Sequence, residues 1–136
     1  MCKMIHYKDG KYIADIKHKY IQNIVKLAEL CENINRIMLF GSSLEERCTD
    51  ESDIDIAVFG KQSKSKYLQS KEFKDFQKQL FLYDLNQDYD ILYFADNAKQ
   101  NDLIFQDINN GVEIYRRSQA WFWQKESFAE DRKKYL

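Results

Sequence analysis

The stretch that decides the fold runs from Ile37 to Phe59 and reads IMLFGSSLEERCTDESDIDIAVF. Its two ends are apolar and rich in β-branched and aromatic side chains, which predicts buried strands over 36–40 and 54–59. The first strand stops at Gly41-Ser42, and the second begins beside Asp53. The chain has four glycines, and one of them falls between these strands. Gly41 therefore predicts a tight turn between two strands of one sheet.

Two carboxylates flank Ile54 at the start of the second strand. Side chains on a strand alternate faces, so Asp53 and Asp55 should point the same way, about 7 Å apart. Mg²⁺ prefers carboxylate and phosphate oxygens, and in two-metal sites a pair of ions clamps the reacting oxygens. An Asp-x-Asp pair alone is usually just solvated at a strand edge. The glycine turn beside it favours a site for two Mg²⁺ ions.

The turn itself is suited to a phosphate. Gly41 lets the backbone approach an anion closely, and Ser42 and Ser43 add hydroxyl and amide donors. A helical turn over 43–47 would also present free N–H groups to an anion. These features predict that the turn binds a nucleoside triphosphate.

The basic side chains near the two strands are expected to have different roles. Arg47 follows the serine turn and is expected to pair with the triphosphate, or with Glu51 or Asp50 in a surface salt bridge. The loop after the second strand should lie at the opposite end of the sheet from the carboxylates. Its lysines are therefore expected to be solvated; they are Lys61, Lys64 and Lys66.

A third carboxylate is expected from the next strand. Apolar residues predict a helix over 66–83 and a strand over 89–94. A strand–helix–strand crossover makes the two strands parallel, so both begin at the same end of the sheet. Asp90 then lies within reach of Asp53 and Asp55, because neighbouring strands are about 4.8 Å apart. Asp88 is the alternative.

The pattern Gly41-Ser42, ten residues, then Asp53-x-Asp55 resembles the signature of the minimal nucleotidyltransferases (MNT) of the DNA polymerase β-like superfamily. The resemblance extends over about 16–115, and 111–115 resembles the closing strand of that family. It implies an α+β (α/β) palm fold, with a mixed sheet of about four strands flanked by helices. One difference is that many members carry a glycine where this chain has Glu45-Glu46-Arg47.

The resemblance also implies an activity. Members transfer NMP from an NTP with Mg²⁺, so this chain would use ATP as substrate. Asp53 and Asp55 would hold the metals, and Asp90 would act as general base or metal ligand. Many MNT proteins are antitoxins that add AMP to a tyrosine of a HEPN ribonuclease toxin. The alternatives are a non-catalytic MNT-like module that neutralises a partner by occlusion, and an antibiotic nucleotidyltransferase with its acceptor site at a dimer interface.

Length and composition limit which classes of protein the chain can belong to. At 136 residues we expect a single domain over 1–136, and the acceptor would come from a second chain. The net charge of −1 argues against dedicated nucleic-acid binding. No stretch approaches the ~18 apolar residues of a membrane span. Three cysteines without framework spacing favour the reducing cytoplasm.

The flanking segments predict further elements. Asp9-Gly10 predicts a hairpin within 1–15, with a frayed end before a helix as the alternative. Helical spacing predicts a helix over 15–33. Asp96 should cap a helix that stops at Gly111, ahead of a strand over 112–115. A last helix over about 118–134, within 118–136, carries an aromatic stripe of core or interface residues: Trp121, Phe128 and Tyr135.

Overall fold

The computed structural model of the protein describes residues 1–98 and 103–117. The strands are β1 (Met4–Lys8), β2 (Lys11–Ala14), β3 (Ile34–Phe40), β4 (Ile54–Gly60), β5 (Tyr89–Ala95) and β6 (Val112–Arg116). The helices are α1 (His18–Glu29), α2 (Lys64–Leu68), α3 (Lys71–Tyr83) and α4 (Leu103–Asn109). Two 3₁₀ turns cover Asp15–Lys17 and Gly41–Leu44.

The main sheet has four strands in the order β5-β4-β3-β6. β3 is antiparallel to both β4 and β6, whereas β4 and β5 are parallel. The chain between β4 and β5 passes through α2 and α3, which gives the crossover that the sequence predicts. The expectation of a mixed four-stranded sheet flanked by helices is confirmed.

Helices cover both faces of the central strand β4. On one face, Ile54, Ile56 and Val58 belong to a cluster that includes buried residues of α1 and α3. On the other face, Ala57 and Phe59 belong to a second cluster with Phe105 and Ile108 of α4. β4 is thus buried along nearly its whole length, and Asp55 is its one half-buried position.

The N-terminal residues form a separate two-stranded hairpin. β1 pairs antiparallel with β2, and the turn residues Asp9 and Gly10 both have positive φ angles, 49° and 74°. This is the pattern of a tight hairpin turn, which Asp-Gly favours. The hairpin contacts the main domain near the glycine turn, where the Cys2 N–H donates to the Glu46 carbonyl at 2.8 Å. The hairpin, and not the frayed end, is therefore what forms.

Two predicted helices differ from those observed. The helix expected over 15–33 begins as a 3₁₀ turn, and α1 ends at Glu29. The helix expected over 66–83 is two helices, because Ser70 caps α3 by accepting a hydrogen bond from the Phe73 N–H at 3.1 Å. An N-cap residue has non-helical backbone angles, and the extended backbone of Ser70 interrupts the helical path.

The residue predicted to cap the third helix has a different partner. Asp96 lies in a turn directly after β5, and its carboxylate accepts a hydrogen bond from Asn35 Nδ2 at 2.6 Å, so it does not cap α4. The predicted C-terminal helix, with its aromatic stripe, lies outside the described residues. None of the helices that the structure describes has the length and apolarity needed to cross a membrane.

Candidate active site

Three chain segments meet at one end of the sheet. The parallel pairing of β4 and β5 sets Asp55 beside Asp90 as Cα partners. On the other side, Asp55 is the Cα partner of Phe40, the last residue of β3. Gly41 comes directly after Phe40. The glycine turn and the two carboxylates therefore belong to three neighbouring strands, and neighbouring strands lie about 4.8 Å apart.

Asp53 lies one residue before β4 and is exposed, as Asp90 is. Its segment is tied to the glycine turn, because the Ser42 hydroxyl donates a long hydrogen bond to the Asp53 carbonyl at 3.4 Å. Asp53 also lies close enough to Asp55 for its charge to raise the pKa of the Asp55 carboxyl. The structure therefore brings together Gly41, Ser42 and all three predicted carboxylates.

Gly41 fits the site because it has no side chain. Its φ is +76°, and a Cβ built on it would lie 2.1 Å from Asp55 Oδ2. A real Cβ does not approach an oxygen so closely, and positive φ is costly for residues with a Cβ. The absence of a side chain at position 41 leaves the Asp55 carboxylate free to face the turn.

The carboxylates also act on one another electrostatically. Burial raises the pKa of Asp55, and the charges of Asp90 and Asp53 raise it further. The rival carboxylate, Asp88, is not among these causes. Within residues 1–98 and 103–117, no ion pair neutralises any of the three. A concentration of negative charge that no salt bridge neutralises favours binding of a cation.

The serine turn differs from the prediction in one respect. The helical turn covers Gly41–Leu44 and not 43–47. Ser43 is fully buried, and its hydroxyl has no hydrogen-bond partner among the described residues. Ser42, which is partly exposed, is therefore the residue that presents a hydroxyl at the surface of the turn.

Arg47 has a partner that the sequence analysis did not name. Its guanidinium Nε forms an ion pair with Glu45, and not with Glu51 or Asp50. The pair is exposed, so its geometry is weakly held. The lysines expected to be remote do follow the other end of β4, since Lys61 comes directly after Gly60 and α2 begins at Lys64.

A divalent cation fits this arrangement only with help from a substrate. Over the described part of the chain, no group of three His, Cys, Asp or Glu side chains could hold a metal ion unaided. Mg²⁺ is commonly bound by one or two carboxylates together with substrate phosphates and water. The residues present fit that mode, since Asp55 and Asp90 are adjacent and the Gly41 backbone leaves the Asp55 carboxylate uncovered.

Two buried polar residues beneath the site were not predicted. Lys17 is 1% exposed and Gln87 is 4% exposed, and they are hydrogen-bonded to each other at 2.7 Å. A lysine between Ile16 and Tyr20 has the sequence pattern of a solvated side chain, so only the tertiary contacts reveal it.

Comparison with known families agrees with this geometry. A profile of the family described as "Polymerase beta, Nucleotidyltransferase" matches residues 22–120. The chain belongs to this family. The matched region includes the glycine turn and all three carboxylates, so the resemblance stated from the sequence motif is confirmed. No curated protein matches the chain closely enough to add to this assignment.

Toxin–antitoxin complexes are among the solved structures that are similar to this chain. A mutant of the toxin–antitoxin pair MntA–HpeT contains a chain that is 19% identical, with a TM-score of 0.54, over 85% of this chain and 98% of that one. The MntA–HepT structure has a TM-score of 0.49 at 19% identity, covering 88% and 99%. A complex of tri-AMPylated Shewanella oneidensis HEPN toxin with MNT antitoxin has a TM-score of 0.48 at 19% identity, over 88% of this chain and 99% of that one. The first of these shows that the two chains share a fold.

Proposed function

We propose that this nucleotidyltransferase is a Mg²⁺-dependent enzyme that transfers AMP from ATP to a hydroxyl group of a partner protein, and that the partner is a HEPN-type toxin. Asp53, Asp55 and Asp90 would hold the metals. Gly41, Ser42 and the backbone of Ser43 would contact the triphosphate. The observation that carries the proposal is the juxtaposition of Asp55 and Asp90 in register, next to a glycine whose missing side chain exposes Asp55.

The charges of the site support phosphoryl chemistry. Bound Mg²⁺ would neutralise the triphosphate and the carboxylates and polarise the α-phosphate. The residues of the chain then have distinct tasks. The turn at Gly41 admits the phosphates close to the backbone, and the exposed Asp90 can accept the proton of the incoming hydroxyl. A bond forms between that oxygen and the α-phosphorus, the bond to the β-phosphate oxygen breaks, and pyrophosphate leaves.

The choice of acceptor rests on resemblance and composition. The sequence motif resembles MNT antitoxins, and the chain shares its fold with one chain of the MntA–HpeT toxin–antitoxin pair. The net charge of −1 does not favour a nucleic-acid acceptor. A protein tyrosine is a poor nucleophile near neutral pH because its pKa is about 10. A metal and a carboxylate beside the hydroxyl would lower that barrier.

The test is to co-express the chain with the protein encoded beside it and to measure the intact mass of that neighbour. We expect a mass increase of one or more AMP units with the unaltered chain and none with Asp53→Asn, which keeps the shape of the side chain but removes its charge. A neighbour that stays unmodified yet is fully neutralised would contradict the enzymatic proposal and favour the occlusion alternative.

A further inference from the structure

A buried hydrogen-bond network lies beneath the candidate active site. Lys17, at the end of the 3₁₀ turn before α1, extends its ammonium between two segments that lead into the carboxylates. It donates to the Ser52 carbonyl at 2.8 Å, to Gln87 Oε1 at 2.7 Å and to the Asp50 carbonyl at 3.3 Å. An ammonium has three N–H donors, so these three oxygens use all of them.

Gln87 completes the network. Its Nε2 donates to the Ser52 carbonyl at 3.0 Å and to the Asp88 carbonyl at 2.7 Å. The Asp88 carbonyl in turn accepts from the Ile54 N–H at 3.1 Å. The Ser52 carbonyl is thus shared by Lys17 and Gln87, and each residue of this network is bonded to the start of β4 or of β5.

The position of the network gives it a role beyond packing. Ser52 directly precedes Asp53, and Gln87 lies three residues before Asp90. The carboxylates at these two strand starts repel one another, as the effect of Asp90 and Asp53 on the pKa of Asp55 indicates. Beyond the ladder of β4 and β5, the network joins the residues that precede these two strands through side-chain hydrogen bonds. Lys17 also lies close enough to Asp53 for their charges to attract.

We infer that Lys17, acting with Gln87, is a positioning residue that fixes the distance between the Asp53 and Asp90 segments for metal binding. This inference rests on the proposed function. Residues that orient metal ligands without touching the metal commonly change metal affinity by about 10–100-fold when they are replaced. We therefore expect Lys17→Met to raise the Mg²⁺ concentration needed for ATP binding by a factor in that range.

The experiment titrates Mg²⁺ at fixed ATP and follows ATP-dependent thermal stabilisation of the full chain. Lys17→Met keeps most of the aliphatic stem and removes the ammonium. Lys19→Met is the matched control. Lys17 and Lys19 both lie over the Tyr20 ring, with their ammonium nitrogens 5.7 Å and 5.0 Å from its centroid, but Lys19 has no hydrogen bond to the network. Ile24→Ala is the stability control, since Ile24 is a fully buried core residue of α1. Both controls should keep the Mg²⁺ requirement of the unaltered chain.

A second variant covers the case in which Lys17→Met does not fold. Gln87→Met removes the amide that joins the two segments and should raise the Mg²⁺ requirement similarly. The double variant should show little additional effect, because both side chains act through one network.

The outcomes separate the inference from the proposed function. If the unaltered chain shows no Mg²⁺-dependent stabilisation by ATP, both are overturned. If it responds normally while Lys17→Met and Gln87→Met have the Mg²⁺ requirement of Ile24→Ala, only the positioning role is overturned.

Discussion

The Oδ2 atom of Asp55 occupies the space that a side chain at Gly41 would need. The Cβ of any other residue at position 41 would lie 2.1 Å from that oxygen and 3.1 Å from the Asp55 carboxyl carbon. The φ angle of +76° makes the same position unfavourable for L-residues independently of this contact. The glycine turn and the strand carboxylate are therefore parts of one arrangement, although fourteen positions separate them in the sequence.

Replacing Gly41 by alanine should impair the site more than the fold. Gly41→Ala should cost about 1–2 kcal/mol of stability from the positive φ angle. It should also turn the Asp55 carboxylate away and thereby abolish Mg²⁺-dependent stabilisation by ATP. Thermal unfolding with and without Mg²⁺ and ATP measures both effects.

The matched control is Gly10→Ala. Gly10 has nearly the same φ angle, +74°, but no atom lies within 4 Å of a Cβ placed there. It should therefore lose a similar amount of stability while retaining the ATP response. An equal loss of ATP response in both variants would show that turn strain, and not the contact with Asp55, controls the site.

Removing the Asp55 charge should stabilise the metal-free protein while it abolishes metal binding. Asp55→Asn ends the repulsion with Asp90 and Asp53 that contributes to its raised pKa. We expect a gain of about 0.5–1 kcal/mol in EDTA near pH 7, the scale of partly exposed charge interactions. That corresponds to a rise in Tm of about 2–5 °C. A lower Tm in EDTA would contradict the repulsion.

The pH dependence of stability follows from the same shift. A carboxyl whose pKa is raised above its ordinary 3.8 in the folded state binds its proton more readily there. The favourable contribution of this carboxyl to the free energy of unfolding is fully present below pH 3.8 and is lost as the pH rises through the raised folded pKa. Asp55→Asn should lack this pH-dependent contribution, so its stability advantage should grow as the pH rises through that window. Denaturant unfolding in EDTA between pH 4 and 7 measures the difference.

Arg47 is held by Glu45 in this structure, and the two charges should have opposite effects on ATP affinity. Glu45→Gln would free the guanidinium for the triphosphate, and we expect ATP to bind about 3–10-fold more tightly, or about 0.7–1.4 kcal/mol. Arg47→Gln should weaken ATP binding by a similar factor. Calorimetric titration with Mg²⁺ and ATP measures both. Unchanged affinity in the two variants would remove Arg47 from the nucleotide-binding residues.

A closed set of buried and partly buried hydrogen bonds at the other end of the sheet should affect stability alone. Asn33 Nδ2 donates to the Tyr93 hydroxyl at 2.9 Å, which donates to the Gln62 carbonyl at 2.7 Å, and the Gln62 N–H donates to Asn33 Oδ1 at 2.8 Å. Tyr93→Phe removes the hydroxyl and leaves its partners unpaired, which should cost about 1–3 kcal/mol. Urea unfolding should show this loss, and the Mg²⁺ and ATP responses should stay normal.

Local chemistry accounts for the parts of the fold and site that could be predicted from the sequence. The apolar runs on either side of Gly41, and the alternation of Asp53, Ile54 and Asp55, depend on chain neighbours and on period-2 geometry. The parallel crossover brings Asp90 to the same end of the sheet, because handedness and strand direction leave little choice. Ser70 marks a helix N-terminus that the apolar spacing alone concealed, and it divides the helix predicted over 66–83.

Other features depended on contacts between distant residues. The burial of Ser43 and the packing of α4 against β4 follow from how the elements come together.

The clearest such case is Lys17, which is separated by 35 residues from Ser52 and by 70 from Gln87. A lysine on an amphipathic segment has no local property that distinguishes a buried ammonium from a solvated one. Only the tertiary structure supplies the three oxygens that satisfy it. The sequence by itself determined the strands, the turn and the carboxylates, because those follow from neighbouring residues. The tertiary structure decided which polar groups hold them in place, because unlike a strand or a turn, a buried charge is stable only where the folded chain provides its partners.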